Sequence, residues 1–398
     1  APTDDAAAGR FAAWSEAGGL VVEPSVPVAS PPPSPPVEPA ELGVRVFDRT
    51  VDIAWRRTSY SALSAYDAPV EPLSTVDTEP EVAPRDDEVL PIAASPGVTE
   101  PDASAHVDAA DTMVSPMASL PVGATFGSLV HAVLEHTDPE APDHGGDLRA
   151  ELMSHIREQQ VWWPVPGLVD DELADALLAV CESPLGPLAD DRTLREIARG
   201  DRLCELDFEL PLAGGDVDDY PAARVRLGQV ADVLRRHLEP GDPVLPYADQ
   251  LDRPGLGGQD LLGYLTGSID VVLRVGGRFL VVDYKTNWLG ALPAGHADAT
   301  LTSGDYTPAR LDAAMGHSDY PLQALLYAVV VHRFLRWRLP DYDPDTHLGG
   351  VLYLYLRGMC GPETPRVDDR PCGVFSWRPP AALVTELSDL LDGLVVAP

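Results

Sequence analysis

A Gly-Gly pair separates two apolar runs rich in β-branched residues in the stretch 267-GSIDVVLRVGGRFLVVDYKTNWLG-290. Glycines at both central positions of a two-residue turn are typical of a β-hairpin. With this pair as the turn, Val275 faces Arg278, and counting back along both strands places Asp270 opposite Asp283. Their Cβ atoms should then lie roughly 5 Å apart on one face of the hairpin.

Two facing carboxylates among apolar residues repel each other and lose hydration, so structure alone does not favour Asp270 opposite Asp283. A hard divalent cation such as Mg²⁺ or Mn²⁺ between them would remove the conflict. Lys285 lies two residues after Asp283 and shares its face, where an ammonium can orient or deprotonate a metal-bound water. The alternative is that Asp270 caps the strand and that Asp283 and Lys285 form an exposed ion pair.

Lys285 is the only lysine among the 28 basic residues of this 398-residue chain. The richness in Ala, Pro and Arg suggests a coding bias that replaces Lys with Arg wherever either serves. A site that needs a compact ammonium with an adjustable pKa does not tolerate this exchange. The lone lysine also excludes a Gly-Lys-Ser/Thr phosphate loop elsewhere in the chain. The alternative is that one lysine survived by chance.

The formal net charge of −35 argues against DNA capture through overall charge. A DNA-handling protein of this composition needs a local basic track, a metal ion or a partner. The four cysteines lack CxxC spacing, which disfavours a zinc ribbon or an iron–sulfur cluster and indicates free thiols in a reducing cytoplasm. Four arginines are candidates for a basic track, although surface solvation explains each equally well: Arg333, Arg336, Arg338 and Arg357.

Composition divides the chain into four parts. Residues 1–45 form a Pro-rich tail that we expect to be mostly disordered, and residues 46–66 form a short ordered segment with a strand and a helix start. Residues 67–118 form an acidic flexible linker with too little apolar surface to fold. Residues 119–398 form an α/β domain with central strands and flanking helices. The first residue is not Met, and we expect a piece of a longer chain.

Three polar residues on predicted helices are further candidates. His131 lies beside the apolar stripe of the helix FGSLVHAVLEH, where a lone histidine is more often structural. Gln323 and Tyr327 share one face of a long helix and can hydrogen-bond each other or a phosphate, although a Tyr in an apolar helix is usually core. The predicted strand LCELDFEL carries three acidic residues on a face that is most simply solvated: Glu205, Asp207 and Glu209.

The hairpin, its NWLG continuation and the helix YPLQALLYAVVVHRFLRWRL resemble the nuclease domain of the RecB family, the beta subunits of exodeoxyribonuclease V. The segments HLGGVLYLYLRGM (347–359) and WRRTSYSAL (55–63) extend this resemblance, the second to the end of the helicase part of RecB. The Asp–hairpin–Asp-Tyr-Lys core is shared across the PD-(D/E)XK nuclease superfamily. The resemblance covers about residues 50–66 and 119–398. It implies a restriction-endonuclease-like core with a central mixed sheet flanked by helices, preceded by a disordered acidic linker.

The resemblance implies a role for each candidate residue. Asp283 and Lys285 would be catalytic, and Gln323 and Tyr327 would hold the DNA strand. Mg²⁺ would be the cofactor, with Mn²⁺ or Ca²⁺ able to occupy its site. Its ligands would be three side chains and one main-chain carbonyl: His131, Asp270, Asp283 and the carbonyl of Tyr284.

The activity that the resemblance implies is metal-dependent DNA cleavage by a RecBCD-type helicase–nuclease of the bacterial cytoplasm, acting in double-strand break repair and recombination. Its partners would be DNA, RecC-like and RecD-like subunits and a RecA-like recombinase, with no membrane. One alternative is another superfamily nuclease, such as an AddA-like or CRISPR-associated exonuclease. A second is a catalytically silent docking module for a recombinase or partner subunit, which the intact Asp270, Asp283 and Lys285 disfavour.

Overall fold

The computed structural model describes residues 3–16, 21, 56–64, 112–214, 225–290 and 300–394. The chain divides into two compact units, Ala1–Val51 and Asp52–Pro398. In the first unit, helix α1 (Asp4–Glu16) buries none of its side chains. Most of the predicted tail and of the predicted acidic linker lies outside the described residues. The described structure resumes at Thr112, within the predicted linker, and Met117 is fully buried.

The second unit is built on a six-stranded mixed sheet with the order β1-β3-β4-β5-β8, in which β2 also pairs with β3. The pairs β1–β3 and β4–β5 are parallel, and the other pairs of this sheet are antiparallel. Two short strands, β6 and β7, form a separate ribbon. The strands are β1 (Arg56–Ser59), β2 (Arg202–Pro211), β3 (Gly263–Val275), β4 (Arg278–Lys285), β5 (Leu348–Tyr355), β6 (Arg366–Val367), β7 (Arg370–Pro371) and β8 (Val374–Trp377).

Strand β3 is long enough to take two partners in succession along one edge. Its residues 263–266 pair with β1, and its residues 271–275 pair with β4. Strand β2 pairs with β3 across both of these stretches. Since β2 occupies one edge, β1 and β4 must share the other, and residues 267–270 form the gap between them. Asp270 lies at the β4 end of this gap.

The hairpin turn has the predicted chemistry. Gly276 and Gly277 have φ angles of 56° and 81°, which a two-residue turn of type I′ requires and which glycine adopts without a Cβ clash. The pairing runs from Val275 with Arg278 to Val271 with Val282 without interruption. The predicted hairpin and its register are therefore confirmed.

Helices cover both faces of the sheet, because strand side chains alternate between two apolar cores. Val272 and Val281 lie in the core shared with α6, α10 and α12, whereas Val271 and Val282 lie in the core shared with α3, α4 and α5. The helices of this unit are α2 (Tyr60–Ser64), α3 (Ala124–His136), α4 (Leu148–Gln159), α5 (Asp170–Glu182), α6 (Gln229–His237), α7 (Tyr247–Leu251), α8 (Pro254–Gly257), α9 (Pro308–Gly316), α10 (Tyr320–Arg338), α11 (Pro344–His347) and α12 (Ala381–Leu391).

Helix α10 is the longest described helix, with 19 residues, and its residues 320–332 are all buried between the sheet and α12. Its apolar character on all sides follows from this position. Arg336 and Arg338 lie in its last turn, where cations interact favourably with the helix dipole. Within the described parts of the chain, no helix combines the length and the apolarity needed to cross a membrane.

Candidate active site

The two strands of the hairpin separate just beyond their last regular pair, Val271 with Val282. The next residues along are Asp270 and Asp283, as the sequence predicted. Here the Tyr284 N–H donates to Oδ2 of Asp270 at 2.8 Å. The Asp270 carboxylate thus takes the place of the main-chain carbonyl that accepts in a regular strand pair. Asp270 is 6% exposed. Its carboxylate is therefore held in place by the strand that carries Asp283.

Asp283 and Lys285 form a buried ion pair. The Lys285 Nζ atom lies 2.7 Å from Oδ2 of Asp283, and both side chains are 3% exposed. Apart from this contact with Lys285, Oδ2 of Asp283 has no hydrogen-bond partner among the described residues. The alternative of an exposed ion pair is therefore wrong. A buried carboxylate whose only partner here is one ammonium keeps free lone pairs, which suit it to bind a cation.

Burial raises the pKa of Asp283 to about 6, and the nearby Asp270 carboxylate adds to the increase. The Lys285 ammonium acts in the opposite direction and lowers this pKa. Two carboxylates thus share a region from which water is largely removed, with one compensating ammonium. A bound divalent cation would relieve the remaining charge repulsion.

Two tyrosines hold the lysine from its other side. The Lys285 Nζ atom lies 4.3 Å from the centre of the Tyr320 ring and 5.6 Å from that of Tyr353. The two rings are stacked, with their centres 5.7 Å apart. Aromatic faces attract an ammonium, most strongly where water is excluded. Lys285 is thus positioned by Asp283 and by an aromatic pair.

His131 lies at the wall of the site rather than in the core. Helix α3 brings its Nδ1 atom to 3.3 Å from Oδ2 of Asp270. Its ring meets the Tyr284 ring edge-on, with 5.7 Å between the ring centres. The Tyr284 ring points into the core on the α3 side of the sheet, while its backbone stays at the site.

Gln323 and Tyr327 of α10 contact each other as their spacing predicted. Gln323 Nε2 donates to the Tyr327 hydroxyl oxygen at 3.2 Å, and the Tyr353 hydroxyl donates to Gln323 Oε1 at 2.9 Å. This chain of bonds links α10 to the tyrosine beneath Lys285. Burial raises the pKa of Tyr327 well above its usual range, so its hydroxyl stays protonated.

One cavity of about 150 Å³ is lined by seven of the residues described so far: His131, Asp270, Asp283, Tyr284, Lys285, Gln323 and Tyr327. No three His, Cys, Asp or Glu side chains within the described ranges converge closely enough to hold an ion as they stand. As they stand, Asp270 contacts His131 and Asp283 contacts Lys285. The donor chemistry itself, with two carboxylates, an imidazole and the backbone of Tyr284 around one cavity, fits a hard divalent cation.

Glu205 is a neighbour of the site that the alternating sequence pattern assigned to a solvated face. The β2 pairs on either side of it place it opposite Asp270. Its φ of 45° is rare for a residue with a Cβ, and its Oε2 accepts from the Ser268 hydroxyl at 2.9 Å. The distorted backbone turns Glu205 toward the gap in β3. The alternation of polar and apolar residues along a strand does not predict such a distortion.

The further residues that line the cavity include three that were not assigned to the site from the sequence: Ser59, Tyr60 and Ser128. Ser128 lies on α3, and Ser59 and Tyr60 lie where β1 passes into α2. The segment 56–64 is thus part of the wall of the site, since it pairs with β3 beside the gap.

The predicted basic track is wrong for two of its four arginines. Arg357 is fully buried, and Arg333 is 10% exposed and pairs with Asp392 at 2.8 Å. Both bind structural partners within the domain and are not available to a phosphate backbone. Arg336 and Arg338 are exposed.

Comparison with known proteins agrees with this geometry. Residues 109–369 match the family model of the PD-(D/E)XK nuclease superfamily, and the chain belongs to this superfamily. Over 98% of its length it is 53% identical to the RecBCD enzyme subunit RecB of Mycolicibacterium smegmatis and 52% identical to that of Mycobacterium tuberculosis. Over 90% of its length it is 29% identical to the subunit of the same name from Escherichia coli. The resemblance to the nuclease region of RecB is therefore confirmed.

The chain is much shorter than these relatives. It spans 34% of the M. smegmatis subunit, 33% of the M. tuberculosis subunit and 25% of the E. coli subunit. The similarity therefore concerns about a third of a RecB subunit or less.

Proposed function

We propose that this chain is a Mg²⁺-dependent DNA nuclease that hydrolyses phosphodiester bonds as part of a RecBCD-type helicase–nuclease. The observation that carries the proposal is the buried Asp283–Lys285 pair, which faces the same cavity as Asp270 and His131. Such an arrangement is unfavourable for folding alone. The biological setting that we infer is double-strand break repair and recombination.

The metal would be held by His131, Asp270, Asp283 and the main-chain carbonyl of Tyr284. These donors suit Mg²⁺, and Mn²⁺ or Ca²⁺ can occupy the same ligands. When bound, the ion polarises the scissile phosphate and lowers the pKa of a water. Asp270 is already oriented by the Tyr284 N–H, and Asp283 would be the second carboxylate that holds the ion.

Lys285 positions the attacking water and offsets the negative charge that develops on the phosphate. The Tyr320 and Tyr353 rings hold its ammonium beside Asp283. Gln323 and Tyr327 hold the DNA strand, because their amide and hydroxyl groups line the cavity and can bond to phosphate oxygens.

A net charge of −35 disfavours unaided capture of DNA. We therefore infer that partner subunits resembling RecC and RecD deliver the strand to this site, as the names of the relatives suggest. A RecA-like recombinase is a further partner in this proposal.

The test is Mg²⁺-dependent degradation of labelled single-stranded DNA by this chain, alone and assembled with its partner subunits. Asp283→Ala and Lys285→Ala should each reduce cleavage at least about 100-fold, since each removes a group needed at the reacting phosphate. Asp175→Ala is the matched control, because Asp175 forms an exposed ion pair with Arg149 and does not line the cavity.

Cleavage that survives both site variants would contradict the assigned roles. Inactivity of the parent protein in the assembled complex would favour the docking-module alternative instead.

A further inference from the structure

We propose that the Ser128 hydroxyl binds a non-bridging phosphate oxygen of the DNA strand and so positions the strand in the site. Ser128 is 7% exposed and lies in the second turn of α3. Its Oγ is buried and has no hydrogen-bond partner among the described residues. The inference rests on the proposed nuclease function and names a substrate contact for it.

The lack of a partner is unusual for a hydroxyl on a helix. Serine and threonine in helices generally donate back to the carbonyl four residues earlier. Thr385 within α12 does so, to Ala381 at 2.9 Å. Thr137 and Ser183, which directly follow α3 and α5, make the same bond to Val133 at 2.7 Å and to Ala179 at 2.8 Å. Ser128 does not, although burial of a hydroxyl without a bond is unfavourable. Alanine would fill this helix position at lower cost.

The position of Ser128 indicates which group its hydroxyl would hydrogen-bond. It lies three residues before His131 and therefore on the same face of α3. Both side chains line the cavity that Asp270, Asp283 and Lys285 also line. Ser59 and Tyr60 line this cavity from the β1–α2 segment. A strand that reaches the carboxylates therefore passes close to Ser128.

A phosphate oxygen fits this hydroxyl better than a metal-bound water does. A water bound to a cation is chiefly a hydrogen-bond donor, and the carboxylates of Asp270 and Asp283 already supply acceptors for it. A phosphodiester has only acceptor oxygens and needs donors, and serine hydroxyls commonly contact DNA phosphates. Ser128 would add a neutral donor to the cavity that the ammonium of Lys285 also lines.

The experiment compares Ser128→Ala and Ser128→Thr with the parent 398-residue chain. DNA affinity is measured by fluorescence anisotropy with a labelled oligodeoxythymidylate in Ca²⁺. Calcium affinity is measured separately by calorimetry without DNA. Ser154→Ala is the matched control, because Ser154 is an exposed serine on the neighbouring helix α4.

We expect Ser128→Ala to bind the oligonucleotide about tenfold more weakly, as loss of a hydrogen bond to a charged group predicts. Its calcium affinity should stay unchanged, and its thermal stability without DNA should be equal or higher because an unsatisfied hydroxyl is gone. Ser128→Thr should restore DNA binding. A purely structural role would instead lower stability in Ser128→Ala.

Unchanged DNA affinity in Ser128→Ala would overturn this inference alone, provided that the parent chain binds and cleaves DNA. A parallel loss of calcium affinity would also overturn it, since the hydroxyl would then serve the metal. A parent chain that neither binds nor cleaves DNA, both alone and assembled with its partner subunits, would overturn the proposed function together with it.

Discussion

The guanidinium of Arg357 donates from Nε to the main-chain carbonyl of Thr286, 2.7 Å away. From Nη1 it also donates to the carbonyl of Met117 at 2.7 Å. Thr286 follows Lys285 directly, and Met117 belongs to the loop before the helix that carries His131. One buried cation therefore joins the two segments that bring the lysine and the histidine to the site.

Replacement of Arg357 should destabilise the domain strongly. Arg357→Met leaves several buried carbonyls without donors, and each such loss costs about 1–3 kcal/mol. We expect the free energy of unfolding to fall by about 3 kcal/mol or more, measured by urea denaturation. Arg357→Lys should recover little of the lost free energy of unfolding, because a single ammonium cannot reach all the carbonyls that the guanidinium contacts. Arg274→Met is the control, since its exposed pair with Asp201 should contribute less than about 1 kcal/mol. Equal losses in both methionine variants would contradict the structural role.

The aromatic contact to Lys285 should affect the chemical step. Tyr320→Leu removes the ring below the ammonium and should lower the cleavage rate at saturating DNA about fivefold to tenfold, as a desolvated cation–π contact predicts. Tyr320→Phe keeps the ring and should retain most of the rate. Single-turnover kinetics in Mg²⁺ would measure both. Equal impairment of the two variants would show that the hydroxyl, and not the ring, is required.

Metal binding should weaken as the pH falls through about 6. Burial raises the pKa of Asp283 from 3.8 to about 6, so the protonated form accumulates well above the pH at which an exposed Asp titrates. A protonated carboxyl does not bind a cation. Below about pH 6 the affinity for Ca²⁺ should therefore fall up to about tenfold per pH unit, as one coupled proton predicts. Calorimetry between about pH 7.5 and pH 5 would measure this loss of Ca²⁺ affinity, which we attribute to protonation of Asp283.

Asp283→Asn is the control for this titration. It lacks the titrating group and should show weak affinity with a flatter pH dependence. A parent protein whose affinity stays constant from about pH 7 to pH 5 would contradict the raised pKa.

The short β1–α2 segment should be required for a stable nuclease domain. Leu63 is fully buried, and its carbonyl accepts from Gln259 Nε2 at 2.8 Å. Leu63→Ala should cost about 2–5 kcal/mol through the cavity that it leaves. A chain that lacks residues 1–64 should be destabilised further, because the edge of β3 loses its parallel partner. Thermal unfolding would compare these chains.

Removal of residues 1–51 is the matched control, because it takes away only the first compact unit. A synthetic peptide covering residues 52–66 should partly restore the stability of the longer truncation by adding back the strand. If both truncations unfolded at the parent temperature, the segment would be dispensable.

The parts of the site that were predictable from sequence depend on local geometry. A two-residue glycine turn determines which residues face each other, so Asp270, Asp283 and Lys285 could be placed together by counting. Helical spacing likewise predicted the contact between Gln323 and Tyr327. The roles of these residues remain proposals, whereas their proximity is a property of the structure.

The features that escaped prediction depend on contacts between distant segments. The bond from Arg357 to Met117 joins residues 240 positions apart, and nothing near Arg357 distinguishes it from a surface arginine. The distortion at Glu205 and the unpartnered hydroxyl of Ser128 likewise exist only where separate elements meet. Side-chain surroundings of this kind are set by packing, which composition and periodicity do not encode.

The sequence by itself determined the hairpin, its register, the lone lysine beside the second aspartate and the α/β class, because turn chemistry and side-chain periodicity act over a few residues. Only the tertiary structure decided that β1 inserts beside the gap in β3, that Arg357 joins two halves of the site and that Asp283 and Lys285 are buried. These outcomes depend on which apolar faces pack together, and that choice is made by the whole domain at once.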